Sequence, residues 1–117
     1  MGNQFQEAIE KELTTAREAV RIGNDGMARV CARRAVGQAI FWYKTKFPRP
    51  SWGQMAINQI RMVCLDPAFP DDVREAAVRL TTQINDRFKY PFSEDPLSDA
   101  ALIIGFVEKQ MALTGSA

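Results

Sequence analysis

Histidine is absent from this chain. That removes serine-histidine and cysteine-histidine nucleophilic pairs, histidine general bases and histidine metal ligands together. There are two cysteines, Cys31 and Cys64, with no companion cysteine or histidine at ligand spacing. A structural zinc site and a disulfide framework are therefore excluded, and two buried thiols in a reducing cytoplasm are expected. No stretch approaches the roughly 20 consecutive apolar residues of a membrane span. The opening residues lack the basic segment and apolar run of an export signal, so a soluble, cytoplasmic protein is expected. Gly2 follows Met1, but Gln6 stands where a myristoylation signal has Ser or Thr, so no lipid is expected. Alternating apolar and polar residues, the mark of a half-buried strand, occur nowhere.

What is present is ordinary globular composition: 117 residues, 46% hydrophobic and 25% charged, with a formal net charge of +1. A chain of this length can bury one core, and a single domain over residues 1–117 is expected. Glycine and proline punctuate it into five amphipathic stretches. The first, residues 4–22, spaces Phe5, Ile9, Leu13, Ala16 and Val20 by threes and fours. After the turn Gly23-Asn24-Asp25-Gly26 comes a second helix over about 27–46, apolar around most of its circumference and thus central. Ser51 and Gln54 form a capping-box pattern for a short third helix, stopped by Pro67. A fourth starts at Asp71 or the proline before it and runs to about Phe88. A fifth starts near Asp95-Pro96 or at Ser98. The fold expected is all-α, an antiparallel up-and-down bundle of about five helices. Its core should contain Ile9, Leu13, Ala16, Val20, Cys31, Ala35, Ala39, Ile60, Val63, Leu80, Ile84, Leu102 and Phe106.

Charge is unevenly spread. Residues 21–61 hold eight basic side chains against one acidic, while the two flanking segments are net acidic. The candidate contacts for a phosphate-bearing ligand are Arg29, Arg33 and Arg34, flanked by Lys44, Lys46 and Arg49. Arg29 and Arg33 share a helix face, and Arg34 is displaced by about 100° from Arg33. The competing reading leaves these arginines solvated, or pairs them with acidic groups such as Glu7, Glu10 and Glu18 of the first helix. Phe41, Trp42, Tyr43, Phe47 and Trp52 interleave with the lysines. Phe41 and Trp42 are expected inside, leaving Tyr43, Phe47 and Trp52 as the ones able to face solvent. The acidic pairs Asp71-Asp72 and Glu94-Asp95 stand at helix starts, where capping explains them, and no metal or cofactor is expected.

Two segments resemble the HEPN family, the small helical domains named for nucleotide binding in higher eukaryotes and prokaryotes. The first is the opening helical pair over 13–40, with its small-residue second helix Ala28-Arg29-Val30-Cys31-Ala32-Arg33-Arg34-Ala35-Val36-Gly37-Gln38-Ala39-Ile40. The second is Arg87-Phe88-Lys89-Tyr90-Pro91, an acidic loop and a closing helix over 96–110. This is similar to the family's Arg-Tyr-Pro segment with two residues inserted. The resemblance implies a bundle of four main helices and one short one, often a dimer, in several branches paired with a small nucleotidyltransferase as a toxin-antitoxin component. The family's ribonucleases place a histidine four to six residues after an arginine. Here Phe92 and Ser93 follow Arg87 at that distance, and Ala39 and Ile40 follow Arg34, so nuclease activity is not expected. The function anticipated is a non-catalytic HEPN-like module that binds a partner protein, and a nucleotide or RNA phosphate, through the basic face of helix two. The alternative is a homo-oligomerisation scaffold without ligand, and a homodimer is expected in either case.

Overall fold

A computed structural model describes residues 3–82 and 95–115. These form five α-helices and no strand, with α1 over Gln4–Arg21, α2 over Asp25–Lys44, α3 over Ala56–Val63, α4 over Asp71–Thr81 and α5 over Pro96–Gly115. The expected all-α bundle with a short third helix is thus present. Among the described residues no helix is long and apolar enough to cross a membrane.

The caps explain most of the boundaries. Asn3 and Gln6 form a reciprocal capping box: the Gln6 amide donates to Asn3 Oδ1 at 2.8 Å, and the Asn3 amide to Gln6 Oε1 at 2.9 Å. Gly23, at φ 79°, turns the chain after α1, and Asn24 Oδ1 accepts the Met27 amide to start α2 at Asp25, two residues earlier than expected. Asp95 Oδ1 accepts the Ser98 amide at 2.7 Å, which seats Pro96 at the first position of α5 and decides against a start at Ser98.

Two expected boundaries are corrected. Ser51 and Gln54 make no capping box. Pro50–Trp52 instead form a 3-10 turn, Gly53 reverses the chain at φ 71°, and α3 begins at Ala56 behind Met55, which offers no side-chain cap. Burial of Trp52 against Phe69 ties that turn to the core, so the helix cannot start there. The fourth helix, expected to run to about Phe88, ends at Thr81, because Thr82 is extended at ψ 137°. Thr81 Oγ1 and Thr82 Oγ1 donate back to the carbonyls of Ala77 and Val78, the local competition by which threonine disfavours continuation. Arg33 Nε reaches across from α2 to the Leu80 carbonyl at 2.6 Å, satisfying one of the orphan acceptors left at the helix end. Ile84 and Phe88 lie outside the described residues.

Helix α2 packs against α1, α3 and α5, as its wide apolar circumference predicts. Its contact with α1 is lined with alanine: Ala16, Ala19, Ala28, Ala32, Ala35 and Ala39 are all buried. Close approach on small side chains turns Ala19 inward and leaves Val20 49% exposed, so Val20 is not a core residue. On α5 the inward face is Ala100, Ile103, Ile104, Val107 and Met111, which puts Leu102 outside at 40% exposure, against expectation. Leu13 and Phe106 are partly buried against the core, and the remaining expected core residues that are described are buried. Helices α4 and α5 run antiparallel, since Arg79 near the end of α4 meets Asp99 in the first turn of α5, and Phe69 ahead of α4 meets Phe106 far along α5.

The aromatic assignment is corrected at two positions. Tyr43 and Trp52, expected to be able to face solvent, are 3% and 5% exposed, while Phe41, Trp42 and Phe47 are all partly buried, Trp42 and Phe47 against the core. The phase of α2 decides this: Val36, Ala39, Ile40 and Tyr43 point into the bundle, which carries Phe41 and Trp42 to its flank. Tyr43 stacks on Phe47 at 4.7 Å and lies 5.0 Å from Phe69 between ring centroids, closing one end of the core.

Candidate functional site

The six basic residues of the candidate surface divide into two groups. Arg33, Lys44 and Arg49 spend donors inside the fold. Arg33 holds the end of α4, and Lys44 Nζ donates to the Gly53 carbonyl at 3.0 Å while lying over the Phe41 ring. Arg49 is the most committed. Its Nε donates to Asp66 Oδ2 at 2.8 Å, its Nη1 to the carbonyls of Phe47 and Pro48, and its guanidinium lies over the rings of Tyr43 and Trp52. It bolts the segment after α2 onto the aromatic end of the core.

Arg29, Arg34 and Lys46 make up the second group, and none forms an ion pair among the described residues. Arg34 and Lys46 are exposed; Arg29 is half-buried, with its Nε buried and without a hydrogen-bond partner. The competing pairing with α1 does not occur as anticipated: Glu10 pairs with Arg17 and Glu18 with Arg21, all within α1. Glu12 and Arg34 do both lie near the Cys31 thiol.

A line of α2 facing away from the core runs through Met27, Val30, Arg34, Gln38 and Phe41, spaced by threes and fours. Met27 is 44% exposed and Val30 is exposed beside it, although Val30 reads in sequence as part of the buried circumference. Methionine, aromatic and arginine side chains together are the composition of a protein-binding surface. The signal was in the sequence: Met27 and Val30 lie on the side of α2 opposite its alanines.

The remaining chemistry is restrained by its surroundings. Burial pushes the Cys31 and Cys64 thiols up from their ordinary value, away from the reactive thiolate; Glu12 adds to this at Cys31 and Arg34 opposes it. Burial likewise raises the Tyr43 phenol, against the opposing charge of Arg49. At Asp66 burial acts to raise the carboxyl, but hydrogen bonds from Arg49 and the Ala68 amide, with the charges of Arg49 and Arg74, outweigh it and hold the group below its ordinary value. Asp71 pairs with Arg74, Asp95 caps α5, and Glu94 lies outside the described residues. Among the described residues no three histidine, cysteine, aspartate or glutamate side chains gather into a group able to hold a metal ion.

Two buried polar features had no signature in the sequence. Asp99, fully buried, accepts from Arg79 Nε at 2.9 Å and Nη2 at 2.7 Å, although in sequence it looks like a carboxylate favoured at a helix start. Gln59 is fully buried on α3, with both carboxamide atoms lacking a hydrogen-bond partner.

No protein-family model, curated protein or solved structure matches the chain.

Proposed function

We propose that this chain is a non-catalytic, cytoplasmic binding module of the HEPN type, which docks a partner protein along the outward line of α2. It takes an RNA or nucleotide phosphate on Arg34 of that line, with the other uncommitted cations, Arg29 about 140° around the helix and Lys46 beyond its end, as separate contacts for further phosphates. The observation that carries this reading is that these three make no ion pair among the described residues and share α2 and its C-terminal extension with exposed Met27 and Val30. Arg33, Lys44 and Arg49 are contacts within the fold, so they frame the surface and do not supply its free donors. The family resemblance adds a small nucleotidyltransferase as the partner, in a toxin-antitoxin pair. The absence of histidine supports binding without RNA cleavage.

Titration of a labelled short RNA and of a nucleotide at two salt concentrations tests the phosphate contact. Affinity should fall as salt rises, and Arg29→Ala with Arg34→Ala should weaken binding and flatten the salt slope, by roughly 0.7 per lost contact for a single strand. The RNA should remain intact throughout. Binding by the double variant with an unaltered slope would place the contact elsewhere.

The homo-oligomerisation reading rests on a separate observation. Helix α5 carries few charges, yet exposes Leu102 and Leu113 on either side of Gly105, whose missing Cβ would meet nothing within 4 Å. Light scattering tests this self-association, since a chain that does not dimerise returns the 13.2 kDa monomer mass at high micromolar concentration, while the phosphate titration above separates the two readings.

A further inference from the structure

Helix α3 sits on the core in an arrangement that opposes its own docking. It has eight residues, and Met55 provides no side-chain cap. Its hold on the bundle comes from Ile60 and Val63, both fully buried, from Ala56 lying against Gly37 of α2, and from Met62 and Cys64, partly buried against the core. Met55 before it and Leu65 after it are mostly exposed, at 65% and 74%. Between the two anchoring residues and Ala56 lies Gln59, whose carboxamide oxygen and nitrogen are both buried without a partner. Each such group forfeits its hydrogen bond to water while α3 is docked, and both recover it when α3 lifts.

The two ends of the segment differ. On the near side Gly53 holds a left-handed conformation with open space around it, and its one latch is the solvent-exposed bond from Lys44 Nζ to its carbonyl. On the far side Asp66 is fastened by Arg49 at 2.8 Å and by the Ala68 amide at 2.8 Å. One end is a hinge and the other an anchor.

We propose that α3 is a displaceable lid: residues 54–65 lift from α2 as one unit, pivoting at Gly53 and held by Asp66, while α1, α2, α4 and α5 stay packed. Opening hydrates Gln59 and uncovers the inner side of α2 around Gly37.

Native-state amide hydrogen exchange on the full chain, resolved by residue, tests this. The amides of Ile60 to Val63 should exchange through an opening at least about tenfold more populated than the one that releases the buried turns of α2. Gln59→Leu, and independently Gln59→Met, should slow α3 exchange by at least about tenfold, since either removes both unsatisfied carboxamide atoms. Ile9→Ala, which weakens α1 on α2, should speed α2 exchange and leave α3 unchanged, because α1 stays docked when the lid opens. The proposal is overturned if α3 and α2 amides exchange together in the wild type. It is equally overturned if Ile9→Ala speeds both alike, or if neither Gln59 variant slows α3.

Discussion

Two glycines in helix interiors should respond to the same substitution with opposite signs. In isolation, replacing a mid-helix glycine by alanine stabilises by about 0.8–1.0 kcal/mol, because alanine loses less backbone freedom on folding. Gly105 of α5 is such a case, since an added Cβ would meet nothing within 4 Å. Gly37 of α2 is not. A Cβ there would lie 2.9 Å from the Cβ of Ala56 and 3.7 Å from its Cα. The obstructing atom is a stub on the backbone of α3, with no rotamer to move aside, so the helix itself must shift. Overpacking of this kind costs about 1–3 kcal/mol, which cancels or exceeds the propensity gain and leaves a net loss of up to about 2 kcal/mol. The two variants should therefore differ by about 1–3 kcal/mol in urea unfolding followed by circular dichroism, with unchanged m values. Ala56→Gly should relieve Gly37→Ala, giving a favourable coupling in a double-mutant cycle. Repeating the melts at two protein concentrations separates any loss of self-association through α5 from an effect on the fold. If Gly37→Ala stabilises as much as Gly105→Ala, the close approach of α2 and α3 is refuted.

The Arg79 and Asp99 pair yields a second expectation. Asp99→Ala removes the fully buried carboxylate that accepts from both Nε and Nη2 of Arg79, and should cost about 1.5–3 kcal/mol for the lost charge-assisted hydrogen bonds, whereas replacing both residues by Leu and Met should recover most of that loss. A cost under about 1 kcal/mol for Asp99→Ala would mean the pair is not buried as described. A third concerns pH. The Asp66 carboxyl is held below its ordinary value in the folded state, so its contribution to stability is complete above the unfolded pKa of about 4 and is lost as pH falls through the folded value. Acid unfolding of Asp66→Asn should lack that component, and identical acid profiles for the two proteins would count against the Arg49 and Asp66 contact.

The sequence by itself determined the five helices and most of their ends, because periodicity and local capping act within a few residues. Asn24, Asp95 and Pro96 do at their helix starts what their chemistry requires wherever they occur. It also determined that histidine chemistry is impossible, and that the basic side chains cluster along helix two. The tertiary structure decided what those side chains are for. Arg33 and Arg49 read alike in sequence as phosphate contacts, yet one satisfies a helix end 47 residues away and the other an aspartate 17 residues away. Nothing local specifies such partners. The same reason turned Ala19 inward and Val20 outward, and put Tyr43 and Trp52 in the core while Phe41 and Trp42 stayed half-open: the rotation of a helix is set by which neighbour it packs against and how closely. Gln59 and Asp99 are buried for that reason too, since a polar residue at a helical position carries no local mark of whether another helix will cover it.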